Sequence, residues 1–190
     1  MKRIRKILLF PALIVILLSC SHRFEGNVLD LGFYQWNMWI DEGGSAEDPA
    51  GNIPSCGWEE FHRGKGKLVR IPALASEHFP EAGEQSVLWF HCRFTLPEQW
   101  EHRPILLEFE GLSHRPEVWL NEKNLNPDRT GGMSYQAEVS GSIYYTLDNH
   151  LSIRIAGKGP GPRGITGTIK VFSTEPSPGP SELSSTLPSP

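Results

Sequence analysis

Between Val28 and Phe172 apolar and polar positions alternate repeatedly with a period of two. From Val87 to Leu96, the residues Leu88, Phe90, Cys92, Phe94 and Leu96 fall on one side, and Trp89, His91, Arg93 and Thr95 on the other. Successive side chains of an extended chain point to opposite faces, so this run predicts a strand with one face in the core. The same pattern recurs in Ile105, Leu107 and Phe109; in Val118 and Leu120; in Tyr135, Ala137 and Val139; in Leu151, Ile153 and Ile155; and in Ile169 and Val171. Phe33 to Ile40 and Lys67 to Ile71 predict two further strands. Pro, Gly, Asn or Asp bound the runs, and no stretch is convincingly helical. The expected fold class is therefore all-β, a sandwich of two antiparallel sheets packed face to face. Asp41 to Cys56, rich in Gly, Pro and acids, predicts a long loop of a length that usually serves binding or mobility. Trp36 and Trp39 lie three apart and cannot share a face of a regular strand, which places one of them in the core.

Composition narrows the class further. A chain of 190 residues with 38% hydrophobic content suits one globular domain. The 19 Gly and 16 Pro interrupt the backbone too often for a helical bundle or a coiled coil. A net charge of -4 offers no basic excess, which argues against nucleic acid as a partner.

The amino terminus has a different character. Lys2, Arg3, Arg5 and Lys6 precede an apolar run from Ile7 to Leu18, the charge and hydrophobic regions of an export signal. The run ends in Leu17-Leu18-Ser19-Cys20, which resembles the lipobox of bacterial lipoproteins and implies lipidation of Cys20. Ser21 rather than Asp follows, which by the usual sorting pattern points to the outer membrane. The expected organisation is a signal peptide over 1–19, a lipidated linker over 20–27, a β-sandwich over 28–172 and a disordered tail over 173–190. In that tail eleven of eighteen residues are Ser or Pro, too few apolar groups to offset the entropy of ordering. Residues 1–19 hold four of the 18 cations and none of the 22 anions, so the exported part is acidic and the lipid alone would hold it at the membrane. Cys56 and Cys92 are far apart in sequence and carry no disulfide framework, although an oxidising compartment would permit a bridge. No Cys/His spacing typical of zinc sites occurs, and no metal or cofactor is expected.

The segments VLWFHCRFTLPEQWEHRPILLEFEGLSHRPEVWLNEKNL and TGGMSYQAEVSGSIYYTLDNHLSIRI carry a family resemblance. Its elements are Trp89-Phe90, the Phe94, Pro97 and Trp100 turn, Phe109 with Gly111, the Val118 to Asn121 strand, Gly131-Gly132, the strand through Asn149 and His150, and Gly164-Ile165-Thr166-Gly167. In this order they resemble the N-terminal sugar-binding domain of glycoside hydrolase family 2, the β-galactosidase and β-glucuronidase group. The resemblance spans roughly residues 30 to 172 and implies a galactose-binding-like jelly roll. Three departures stand out. Glu122 replaces the usual Gly after Asn121, which predicts loss of a tight type I′ turn or its replacement by a longer loop. The loop after Gly131-Gly132 reads Met-Ser-Tyr-Gln and lacks one aromatic of the family pattern. The chain also ends where the family continues into its catalytic barrel, which needs about 250 residues.

Glycoside hydrolysis needs two carboxyl groups flanking one bond. The nearest pairs are Glu59 with Glu60, Glu108 with Glu110 and Asp41 with Glu42. The first pair would point apart if extended, and the second shares an outer strand face where solvated charge is ordinary. Nucleophile and phosphate-loop motifs are missing, so binding is the simpler reading. Sugar sites combine aromatic rings with charged or amide hydrogen-bonding groups. The candidates are Trp58, the best placed loop aromatic, with His62 and Arg63 behind it; His114 and Arg115; Trp119; Asp128 and Arg129; Tyr135; and Arg163. Each polar member reads equally as solvated loop charge. Trp89 and Trp119 fall opposite the core positions of their strands, on the other face or under a neighbouring loop. His22, His78, His102 and His150 have no matched partners and read as surface residues. The acidic stretch from Asp41 to Asp48 lacks the spacing of a calcium loop. The expected function is that of a non-catalytic carbohydrate-binding module on an envelope lipoprotein, with a glycan or a partner hydrolase as its ligand. The alternatives are an envelope scaffold that has lost the sugar site, and a truncated fragment of a family 2 hydrolase.

Overall fold

The structure is a computed structural model and describes residues 26–44, 53–83, 86–113, 115–125, 134–156 and 161–174, with the side chains of Arg115 and Tyr135 left aside. The expected signal peptide, Cys20 and nearly all of the expected tail lie outside the described residues. In chain order the elements are β1 (Val28–Asp30), β2 (Trp36–Asp41), α1 (Trp58–His62), β3 (Lys67–Val69), β4 (Ala73–Leu74), α2 (Ala75–His78), β5 (Val87–Phe94), β6 (Ile105–Glu110), β7 (Arg115–Leu120), β8 (Lys123–Asn124), β9 (Ser134–Glu138), β10 (Asn149–Ala156), β11 (Gly164–Ile165) and β12 (Ile169–Ser173).

All pairings are antiparallel. A four-stranded sheet runs β1-β12-β6-β9, a six-stranded sheet runs β3-β2-β5-β10-β7-β8, and β11 with β4 forms a small ribbon. The fold is the expected all-β sandwich. Its core lies between the two larger sheets. Trp36, Met38, Leu88, Phe90, Cys92, Val118, Leu120, Leu151, Ile153 and Ile155 come from the six-stranded sheet, and Leu29, Ile105, Leu107, Phe109, Ile169 and Val171 from the other. Apart from Leu29 and Met38, these are positions the alternation selected, and of the Trp36/Trp39 pair it is Trp36 that enters the core. Trp100 closes one end, buried in the turn after Pro97, where its indole nitrogen donates to the Gly26 carbonyl at 3.4 Å. Cys56 and Cys92 are free thiols.

Three local expectations are corrected. The Asn121-Glu122 pair does make a two-residue hairpin turn, because Leu120 pairs with Lys123 while both turn residues take positive φ, 50° and 67°. Asn121 is held there by its own side chain, which donates to Ser142 O at 2.8 Å and accepts from His150 N at 2.9 Å. Two short helices, α1 and α2, were not anticipated from the pattern. Finally, β5 is not half-solvated: Trp89 and His91, on the side away from the core, are as buried as Leu88 and Phe90. A second apolar layer therefore covers that side.

Candidate functional site on the outer face of the larger sheet

The outer face of the six-stranded sheet carries two cross-strand rows. In one, Trp39 pairs with Trp89, which pairs with Arg154, which pairs with Glu117. In the other, Asn37 pairs with His91, which pairs with Ser152, which pairs with Trp119. So many rings cannot face water cheaply, and α1 covers them. Gly57, with φ 81°, lets the chain turn into the helix, and Glu59 and Glu60 favour its first turn. Spacing of three brings Trp58 and Phe61 to one side, and His62 follows on the next position. Phe61 is fully buried, with its ring centroid 5.4 Å from that of Trp89, and Trp58 meets Trp89 edge-on at 5.7 Å and Trp119 at 5.9 Å. The chain leaves α1 across the backbone of β2. Gly66 permits this crossing, since a Cβ there would stand 2.3 Å from Met38 O. Asn37 Nδ2 donates to Gly64 O at 3.1 Å and pins the same connection. At the far end of β2, the buried Asp41 carboxylate accepts from Trp89 Nε1 at 3.2 Å and Ser55 N at 2.9 Å, closing the base of the long loop.

Docking α1 brings His62 over the sheet beside His91 and His150. The three rings are stacked, with centroids 4.3 Å apart for His62 and His150, 4.9 Å for His62 and His91, and 5.2 Å for His91 and His150. His91 Nε2 lies 3.0 Å from His150 Nδ1, and His62 Nε2 lies 3.3 Å from Ser152 Oγ. A hydrogen bond between two imidazoles needs one lone pair and one N–H, so at least one of the two rings is uncharged. Burial disfavours the charged form as well. It holds His62 down at about 4, assisted by the nearby His150. It also holds His91 down at about 3, assisted by His62, His150 and Arg93. His150 is lowered too, again chiefly by burial.

Beside the three histidines opens a cleft of about 700 Å³. Asn37, Arg63, Arg70 and Arg93 supply its hydrogen-bond donors, and Phe33 and Tyr34 its aromatic surface. Phe33 is 55% exposed, unlike the rings beneath α1. Arg93 faces Asp148 at 3.6 Å, another residue of the lining.

The expected site residues divide accordingly. His62 and Arg63 line the cleft. Trp58 and Trp119 pack together under and beside α1, away from the cleft wall. Arg163 Nη1 donates to Gly83 O at 2.7 Å, and its Nη2 donates to Ser86 O, beside a separate hollow. Arg115 opens β7 of the larger sheet, and Tyr135 lies in β9 of the other sheet. His114, Asp128 and Arg129 lie outside the described residues. His150 is corrected: it is half-buried and in contact with two other imidazoles, not a partnerless surface residue. Sequence reading also missed His91, Asn37, Arg93 and Phe33 as members of the site. The available signal was that the side of β5 away from the core held Trp and His where a solvated face ordinarily holds charge.

No known protein-family profile matches the chain. Solved structures do resemble it. A glycosyl hydrolase family 2 member from Bacteroides cellulosilyticus matches with a TM-score of 0.58 and 13% identity over 78% of this chain and 21% of that one. A β-glucuronidase from Ruminococcus gnavus, in complex with uronic deoxynojirimycin, matches with 0.58 and 14% identity over 77% of this chain and 29% of its own. The β-glucuronidase of Faecalibacterium prausnitzii matches with 0.56 and 16% identity over 80% and 32%. The chain thus spans between about a fifth and a third of the length of these structures, and the likeness establishes its fold.

Proposed function

We propose that this chain binds carbohydrate in the cleft beside α1 without cleaving it. The observation that carries the reading is the cleft itself: an exposed Phe33 ring lines it together with Asn37, Arg63 and Arg93, the combination of stacking surface and hydroxyl-binding groups that a pyranose needs. The likeness to family 2 hydrolase structures supports a sugar as the ligand class. The carboxylates weighed for hydrolysis support binding over catalysis. Glu59 and Glu60 are engaged by Arg63 and Lys65, while Glu108 and Glu110 lie on the other sheet, engaged by Gln136 and Thr168. Leu68, 64% exposed at the cleft margin, favours a second reading in which a protein partner covers the same surface. Calorimetry of the purified chain against a panel of oligosaccharides separates the two. The expected result is saturable binding, weakened at least about tenfold by Phe33→Ala and by Arg93→Ala. Absence of binding across neutral, acidic and amino sugars would overturn the proposal. Envelope attachment through Cys20 belongs to the same proposal, supported by the export-signal pattern, and predicts incorporation of labelled palmitate that Cys20→Ala abolishes. Undiminished incorporation in that variant would remove the anchor.

A further inference from the structure

We propose that His62, His91 and His150 form a binding site for one divalent transition-metal ion of the imidazole-preferring kind, zinc foremost. One ring nitrogen from each residue lies within 4.8 Å of one from each of the others. With zinc–nitrogen bonds of 2.0–2.1 Å, two ligands on one tetrahedral ion stand roughly 3.3 Å apart, so the gathering is nearly of the required size. The His91 to His150 separation of 3.0 Å is already there. The rings stack in the described arrangement, and coordination requires them to turn until their lone pairs converge. His62 lines the cleft, and both His62 and His150 are only partly buried, so turning them does not disturb the core.

Two further observations point the same way. His91 is 3% exposed and its Nδ1 has no hydrogen-bond partner among the described residues, so no bond at that atom holds the ring against turning to present a lone pair. Second, the three residues are held by three separate elements, α1, β5 and β10, whose relative positions are set by Phe61 packing and by strand register. The fold thus fixes the backbone positions of the three ligands, and only their side chains have to turn. The donor set is imidazole alone. It suits Zn²⁺, Cu²⁺ or Ni²⁺ and does not suit Ca²⁺ or Mg²⁺, which prefer oxygen. Three protein ligands leave a further coordination position for water or another oxygen, as in zinc sites that exchange a ligand. The proposal does not depend on a sugar occupying the cleft.

The test is titration of the tag-free full chain with Zn²⁺ alone, by calorimetry after treatment with chelator, alongside Ca²⁺ as a control. The expected result is one ion per chain, with binding reduced at least about tenfold in His62→Gln and in His150→Gln. Both positions are half-exposed, and unchanged near-ultraviolet circular dichroism would show that the variants fold. Cobalt substitution adds a direct signature, since a four-coordinate Co²⁺ absorbs strongly in the visible and should lose that band in both variants. Absence of Zn²⁺ binding at 100-fold excess over the chain, or binding that survives both substitutions, would overturn the site.

Discussion

Phe61→Ala probes what holds the layer over the outer face. Phe61 is fully buried and contacts Trp39, Trp89 and His91, at ring distances of 6.0, 5.4 and 5.4 Å. Truncating a buried Phe to Ala costs about 3–5 kcal/mol where the surroundings cannot collapse. Here the alternative to an empty space is undocking of α1. That helix has five residues and no side-chain cap at Gly57, far too little to persist alone. Its ion pair between Arg63 and Glu59 is 72% and 83% exposed and contributes little to docking. The variant should therefore lose about 3 kcal/mol or more of unfolding free energy, and Trp89 and Trp119, now 0% and 4% exposed, should meet water. Urea unfolding followed by both tryptophan emission and circular dichroism reads the two effects. A loss under about 1 kcal/mol with an unshifted native emission maximum would refute the idea that this ring clamps the helix to the sheet.

Two other changes test separate parts of the structure. Glu122→Gly should raise the urea midpoint by up to about 1 kcal/mol equivalent at unchanged slope, because Glu122 sits at φ 67° in a turn whose second position prefers Gly; a lowered midpoint would contradict the turn assignment. In the metal-free chain, His62 and His91 resist protonation down to about 4 and about 3, while the unfolded chain takes up those protons near 6.5. The unfolded state then binds more protons below 6.5, so their contribution is fully present above that pH and is lost as pH falls from 6.5 through about 4 toward about 3. Denaturation midpoints with chelator present should decline over that window, and His91→Phe should flatten the decline; an identical slope in the variant would assign the effect to other groups.

Much of the sandwich was legible because its main strands alternate strictly: Leu88 to Phe94, Ile105 to Phe109 and Leu151 to Ile155 all place their apolar members in the core. Periodicity of that kind reports which face is apolar, but it does not report that the opposite face is also covered. The cover, α1, is too short to display a helical repeat, and only Trp58 and Phe61 mark its buried side. His62, His91 and His150 were illegible as a group for the related reason that strand pairing, not local spacing, brings the last two together. Arg63 and His62 were recognisable as polar groups following a loop aromatic, whereas Phe33 was read as part of a strand and stands instead in a short turn before β2. The Asn121-Glu122 turn was misjudged because the preference for Gly is a matter of about 1 kcal/mol, which the Asn121 side-chain hydrogen bonds help to offset.

The larger sheet ends on β3 at one margin and β8 at the other, three and two residues long, and each begins with a lysine. Such margins offer a passing extended chain almost no row of unpaired amides and carbonyls, and a cation opposes its approach. Strand addition is disfavoured at both ends of this sheet. A ligand on the larger sheet is then gripped by side chains on its broad face, so selectivity there is decided by the shape and chemistry of that surface and not by main-chain pairing.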